Sequence, residues 1–438
     1  TDVKDFPLFN QTMQDVLWGT ANSQEHQLSV SSRGEKAGYR VSLGYLNDGS
    51  LLQWGNNSNK RYNLRLTHDY TFSDKLKLAT NISVERQQIV QPSRLGDIMN
   101  NGIQQGLPLF NQKGQAYVWG SGIQNASQVS IAAFGGDNNE ANTRINTNMN
   151  LTYNLLPTLK LVGTAGYYLL NTDYRTFENN IPFYDYTGAN FLANYPTRSS
   201  YQRANKQEAF YSANLYAEFS KTLHQAHDVR LTVGAQYERQ EYNRFVAKTL
   251  DAIPDVPNSL NLSTGDATTK TVSEAQNHYA IGGYFARFNY SYKDKYLLEA
   301  NARYDGSSKF DTENRWKGFW GVSAGWRITQ EDFMKGFTFL DNLKLRVSYG
   351  RVGNQNGIGL YDYIQFMNIN FSTGATSSGF PILGTSPVVR VSPSGTLVAL
   401  DRTWEEVINQ NIGLDFGLLK NRLYGTIEVF KKNNNNML

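Results

Sequence analysis

Nowhere in its 438 residues does the chain hold the run of roughly 20 apolar residues that a membrane-spanning helix needs, yet for long stretches it alternates apolar and polar residues with a period of two. From 62 to 72 one face reads Tyr62, Leu64, Leu66, His68, Tyr70, Phe72 and the other Asn63, Arg65, Thr67, Asp69, Thr71. The split recurs at Ile145, Thr147, Met149, Leu151, Tyr153 against Asn146, Asn148, Asn150, Thr152, Asn154, and again at Leu231, Val233, Ala235, Tyr237 against Arg230, Thr232, Gly234, Gln236, Glu238. Strict alternation predicts strands with one apolar and one wet face. These strands run about ten residues or longer, which is the length that crosses a bilayer when tilted and well beyond an ordinary globular strand.

The connections alternate as well. Short turns fall at Ser73-Asp74-Lys75, Leu156-Pro157-Thr158, His224–His227, Lys293-Asp294-Lys295 and Lys420-Asn421. Long loops rich in Gly, Asn and Ser lie near 50–60, 89–141, 178–204, 247–277 and 355–401. Tight turns at one end and long loops at the other are the asymmetry of outer-membrane barrels. Counting hairpins this way gives about fourteen strands of an all-β, antiparallel transmembrane barrel. Arg65, Asp69, Arg230, Glu238, Lys344 and Arg346 on the polar face would be costly in a sealed core and are at home in a wet lumen. Aromatics nearest the short turns (Tyr70, Phe72, Tyr153, Phe219, Tyr290, Tyr292) suit an interfacial girdle.

Composition narrows the function classes. A net charge of +4 with no basic stripe sets nucleic-acid binding aside. The chain has no cysteine, which removes thiol chemistry, disulfides and Cys-type metal sites. Thr1-Asp2-Val3-Lys4-Asp5 has no apolar leader character.

Several stretches resemble the SusC/RagA family of TonB-dependent outer-membrane transporters. They are Lys295–Phe310 with its Asp305-Gly306-Ser307-Ser308 run, Asn314-Arg315-Trp316, Gly321–Ile328 with Trp326, Glu331–Met334, Leu343–Asn354 with Tyr349, Gly350, Gly353 and Asn354, Trp404-Glu405, Asn411–Phe416 and Arg422–Lys432. Asp15 with Trp18, His26–Val30 and Tyr39–Tyr45 look like the first barrel strands of the same family. The resemblance implies a 22-stranded barrel with an N-terminal plug inside it. It further implies a SusD-like surface lipoprotein as a lid, and TonB pulling on the plug to admit oligosaccharides or peptides. Residues 1–438 are then expected to be a partial barrel domain in a Bacteroidota-like outer membrane, with the plug and the C-terminal strands lying outside the sequence.

Other constellations have plainer readings beside the functional ones. Asp305-Gly306-Ser307-Ser308 is expected as a fixed bend at a strand end, with Phe310 and Trp316 part of the same structural signature. His224 and His227 are expected as polar turn residues, and no metal or cofactor is implied. Glu405 and Glu406 beside Trp404 invite a glycosidase reading, but neighbours in a strand point to opposite faces, so the pair cannot flank one bond. Gly353–Gly359 lacks the Lys-Ser/Thr ending of a phosphate loop. No catalytic residue is expected. Loop aromatics Trp54, Tyr117, Trp119, Tyr184, Tyr186, Phe191, Tyr195, Tyr361 and Tyr363 are candidates for stacking on substrate, and equally for packing loop on loop or meeting the lid. The leading expectation is active import; the alternative is a passive porin-like channel or a structural surface barrel.

Overall fold

A strand in lipid must satisfy its backbone polar groups by pairing on both sides, so the sheet is the unit of folding here. In the computed structural model the described residues are 13–100, 108–118, 127–254, 259–372, 380–383, 388–393, 398 and 400–436. After a short helix α1 (Met13–Leu17) come β1 (Ser23–Arg33), β2 (Ala37–Asp48), β3 (Ser58–Thr71) and β4 (Leu76–Pro92). Helices α2 (Leu95–Asn100) and α3 (Gln128–Phe134) follow, then β5 (Asp137–Leu156) and β6 (Leu159–Glu178). A hairpin of β7 (Ile181–Tyr184) and β8 (Phe191–Tyr195) precedes β9 (Ser200–Leu223), β10 (His227–Leu250), β11 (Lys270–Tyr292), β12 (Tyr296–Ser307), β13 (Trp316–Arg327) and β14 (Leu340–Asn354). Three short strands, β15 (Met367–Ser372), β16 (Phe380–Leu383) and β17 (Val388–Pro393), make a separate small sheet before β18 (Glu405–Leu418) and β19 (Leu423–Asn435).

Fourteen of these strands form one antiparallel sheet in which chain neighbours are spatial neighbours, from β1 to β19, skipping only the loop strands. This is the up-and-down connectivity of a barrel wall. The expected count of about fourteen and the all-β class both hold.

The register carries the two faces from β9 to β14. One row passes through Phe219, Leu231, Phe288, Ala300, Val322 and Tyr349. The row beside it passes through Ser220, Arg230, Asn289, Glu299, Ser323, Ser348 and Asn411. On β10 the outward face is apolar from Val229 through Leu231, Val233 and Ala235 to Tyr237, then turns polar at Arg239 and Glu241. Eight steps at about 3.3 Å, tilted by 35–45°, stand about 20 Å tall, close to the apolar band of an outer-membrane barrel. β9 and β10 have 24 residues each and so continue far beyond that band.

Both ends of the sheet read as the sequence suggested. The short connections 34–36, 72–75, 157–158, 224–226, 293–295 and 419–422 share one end, and 49–57, 93–136, 179–199, 251–269 and 355–404 the other. His224 and Gln225 are both left-handed, as are Lys293 and Asp294. Two successive positive φ values match the turn to the right-handed twist of its strands. The aromatic girdle lies at this end on the outward face: Phe72 meets Tyr70 edge-on at 4.7 Å, and Tyr292 stacks with Tyr296 at 6.2 Å.

Two connections break the rule. The turn 308–315 is compact although it lies at the long-loop end, and 328–339 is extended although it lies at the short-turn end. The second is folded back onto the outward face by Glu331, which accepts hydrogen bonds from the Tyr296 hydroxyl (2.6 Å) and the Trp326 indole (3.0 Å) and pairs with Lys295 (3.3 Å). Those hydrogen bonds hold the Glu331 carboxyl below the usual carboxylate range.

Leu66 faces outward midway up β3, and its neighbour Arg65 faces the opposite way. Leu66→Arg is expected to destabilise the barrel by about 2–4 kcal/mol and Arg65→Leu by less than about 1 kcal/mol. Denaturant unfolding of the full-length protein in lipid vesicles reads the difference, and equal costs would refute the assignment of faces.

Candidate functional site

A wall one sheet thick has no interior, so apolar cores form where loops stack on one another. Among the described residues two such clusters are seen, both at the long-loop end, and below them runs the polar inner wall.

The inner wall is laced by cross-strand charge pairs. Glu299 accepts from Arg287 (2.8 Å), Asn289 (2.7 Å) and Asn301 (2.8 Å). Glu218 pairs with Lys160 at 3.0 Å and Arg230 at 4.0 Å. Arg346 pairs with Asp415 at 3.0 Å and Glu428 at 3.6 Å, and Glu85 pairs with Arg144. Half-exposed pairs of this kind add little stability each. Their effect is a wettable surface in which neither sign dominates. Toward the short turns the wall encloses a recess of about 850 Å³ lined by Arg230, Asn289, Glu299, Ser323, Arg346 and Ser348 among others.

The first buried cluster joins loops 49–57, 93–136 and 179–199. Ile98, Val129, Ile131, Ile181 and Phe183 are all but inaccessible, together with Leu17 and Leu52. α3 is capped at its start by Ser127, and the Gly135 amide closes its end on Ile131 O at 2.9 Å. The Gln128 amide donates to Ile98 O at 2.7 Å, which ties α3 to α2. Asp185 organises the turn between β7 and β8. Burial alone would raise its carboxyl, but hydrogen bonds from Asn190 (2.6 Å), Thr187 (2.9 Å) and the Ala189 amide (3.0 Å) outweigh that and hold its pKa below the usual range.

Most of the loop aromatics have places in this assembly. Trp54 is half-buried against it, edge-on to Phe110 at 5.6 Å, with its indole N–H donating to Val16 O at 3.0 Å. Tyr117 is buried, donates to Pro108 O at 2.5 Å and meets Tyr186 edge-on at 5.7 Å. Burial and the neighbouring Tyr186 push the Tyr117 phenol up, so it stays a donor. Tyr184 exchanges backbone hydrogen bonds with Ala116 and Val118 at 3.1 Å and meets Phe191 at 5.9 Å. Trp119 lies outside the described residues. Tyr361 sits elsewhere, on the rim above β11, where its hydroxyl accepts from the His278 amide (3.0 Å) and donates to the His278 carbonyl (3.2 Å). Tyr363 is half-buried in the same turn.

The second cluster, Phe310, Phe319, Ile358 and Trp404, explains much of the family signature. Trp404 contacts Phe310 at 5.2 Å and Phe319 at 5.6 Å, and its indole donates to Arg315 O at 3.0 Å. The expectation for Asp305–Ser308 needs correction. Asp305, Gly306 and Ser307 are still strand, paired with Gly283, Gly282 and Ile281, and the turn starts only at Ser308. Gly306 is needed for space, since a Cβ there would lie 2.5 Å from the Trp316 ring. Asp305 is buried and pairs with Arg303 at 3.0 Å. Ser308 closes the strand end by accepting from the Ala280 amide at 2.9 Å. Trp326 serves the opposite end through Glu331. Tyr349 faces Trp320 at 5.3 Å, and Gly350 lets β14 approach Gly321 closely.

Of the other residues singled out, Glu405 accepts from Asn354 at 2.7 Å and Glu406 pairs with Lys317 at 3.1 Å. His227 shares a 2.8 Å hydrogen bond with the Tyr290 hydroxyl. Phe110, Ile98, Ile131 and Phe183 have as their sequence signal only a few apolar residues in otherwise polar connections, with too little periodicity to declare a partner, and the place of Phe319 in β13 gives no sign of its partner Trp404.

Two substitutions test this arrangement. Phe183→Ala should cost the loop cluster about 3–5 kcal/mol, and hydrogen exchange should rise at 95–98, 127–134 and 181–184 while β9–β11 stay protected. A Cβ on Gly353 would lie 2.3 Å from the Phe319 ring that Trp404 holds. Gly353→Ala should therefore lower thermal stability by about 1–3 kcal/mol, whereas Gly306→Ala has only the exposed Trp316 to displace and should cost less.

Comparison with known proteins places this architecture. The TonB dependent receptor-like, beta-barrel family matches residues 91–438. The TonB-dependent receptor SusC of Bacteroides thetaiotaomicron is 25% identical over 99% of this chain and 43% of its own length. The TonB-dependent receptor P26 of Formosa agariphila is 24% identical over 98% of the chain and 41% of its own. The chain thus spans less than half the length of these curated relatives. Among solved structures, the RagAB peptide transporter superposes with a TM-score of 0.79 at 21% identity, over 99% of this chain and 47% of the other. The Escherichia coli K12 ferric-catecholate import receptor Fiu gives 0.51 at 12% identity, over 94% and 56%. With its sheet, its loop asymmetry and these matches, the chain belongs to the TonB-dependent receptor-like β-barrel family, in the SusC/RagA group, and its strands are barrel wall in a bacterial outer membrane.

Proposed function

We propose that this chain is part of the wall of an active importer that carries oligosaccharides or peptides across the outer membrane, and that it performs no bond chemistry. The observation that carries the reading is the inward face of the fourteen-stranded sheet, largely polar and carrying cross-strand charge pairs such as Lys160 with Glu218, Arg287 with Glu299 and Arg346 with Asp415. A barrel of about eight strands fills with its own side chains, whereas walls of this size surround a wide lumen. Balanced charge suits a large, polar, largely uncharged cargo better than a strongly anionic one.

In this reading residues 1–438 supply wall, and the remaining polypeptide supplies a plug and further strands. TonB acts through that plug. A SusD-like surface lipoprotein sits over the long-loop end, where Ile364, Phe366, Met367 and Ile369 lie 42–64% exposed beyond the lipid. An apolar strip of that kind marks a contact surface. The names carried by the relatives, TonB-dependent receptors and a peptide transporter, support the same reading. Loop aromatics Tyr361 and Tyr363 and the inner face of the loop assembly are the surfaces offered to cargo.

Uptake of labelled oligosaccharides and peptides by cells carrying the full-length protein and its surface lipoprotein tests this. Import is expected to fall to background when the inner-membrane proton gradient is collapsed or TonB is deleted. Uptake that persists unchanged in both conditions would establish a passive channel and end the active reading.

A further inference from the structure

The lipid-facing surface is not evenly filled. Near the short turns, on the outward face of β11–β14, it holds an apolar recess of about 350 Å³ walled by Tyr290, Tyr296, Leu298, Trp326, Leu345 and Val347. Ala324 lies in the register row that joins Tyr290, Leu298 and Val347. Its methyl group stands where the neighbouring positions carry large side chains, and this leaves the floor of the recess low. The lower wall is set by Glu331, which draws the Tyr296 hydroxyl and the Trp326 indole toward the short-turn end.

The same carboxylate folds 328–339 outward, against the lipid-facing side of the wall. That segment presents Phe333, Phe337 and Phe339, which are 63%, 49% and 54% exposed. In water three such rings would be a liability. At the edge of the apolar band they continue it, as an interfacial element does. Two cations lie in the connections at this end: Lys293 is exposed with its ammonium 5.4 Å from the Tyr292 ring, and Lys335 is exposed in an ion pair with Asp332 at 2.7 Å.

We propose that this recess is a binding site for one glycerophospholipid of the periplasmic leaflet. One acyl chain lies over Ala324 between Leu298, Val347 and Trp326. The phosphate sits at the level of Lys293 and Lys335, and the 328–339 segment closes over the glycerol region. The occupant follows from the surroundings: the recess is continuous with the lipid-facing band, nearly free of polar lining, and at the end that faces the phospholipid leaflet. The site is independent of what the barrel imports.

Native mass spectrometry of the full-length protein, extracted from outer membranes in mild detergent, tests the site. The wild type should retain one glycerophospholipid through mild activation. Ala324→Phe should reduce that occupancy about tenfold, while Ala213→Phe, on the lipid face of β9, should leave it unchanged. Lys293→Glu and Phe333→Ser lie outside the strands and keep the test alive if Ala324→Phe does not fold; each should also lower occupancy. Wild-type protein that retains no phospholipid, retains lipopolysaccharide in its place, or retains phospholipid equally in all these variants would overturn the site.

Discussion

The wall of this chain follows from one constraint: backbone polar groups in lipid must be paired within the protein, and a strand achieves that only with a neighbour on each side. The ladder from β1 to β19 meets the constraint by pairing each wall strand with the next wall strand along the chain, passing over only the loop strands β7, β8 and β15–β17, so that no long crossover has to run through the membrane. A wall one residue thick then has two faces and no interior. Alternation is the direct consequence, because each residue must suit either lipid or water. The row through Leu231, Phe288 and Val322 and the adjacent row through Arg230, Asn289 and Glu299 are that requirement made visible.

Without an interior, packing of the ordinary globular kind moves to the ends of the strands. Ile98, Ile131 and Phe183 form one small core where three loops meet, and Phe310, Phe319 and Trp404 form another. These clusters shape the mouth of the barrel. They use up many of the aromatics that would otherwise be free to stack on cargo, Trp54, Tyr117 and Tyr184 among them. At the other end a single carboxylate, Glu331, has a comparable organising role, turning an atypically long connection onto the lipid-facing side. The two ends thus differ in what they order: loops above and the membrane boundary below.

Much of this was legible in the sequence. The period of two, the fourteen strands and the lopsided connections could all be read from local pattern, because each strand's environment is set by its own alternation. The signature residues were legible as a set, but their role was not. Gly306 reads as a turn glycine beside Asp305 and two serines, yet it lies in a strand and is small because Trp316 covers it. That contact joins residues on two strands and leaves no trace in local propensity. The loop cores were hidden for the same reason, since Phe110 and Trp54 meet across a long separation and neither segment has a period. Tyr361 was visible as a loop aromatic, but its tie to His278 was not.

The central claim is that odd positions of β10 between Val229 and Tyr237 face lipid and even positions face a wet lumen. Spin labels placed singly at each position from 229 to 242, in the full-length protein reconstituted in bilayers, measure this directly. Relative accessibility to oxygen and to a water-soluble nickel chelate is the readout. The expected result is a period of two, with oxygen favoured at odd positions up to Tyr237 and that preference lost from Arg239 onward. Accessibility without a period of two, or with the parity reversed, would contradict the account.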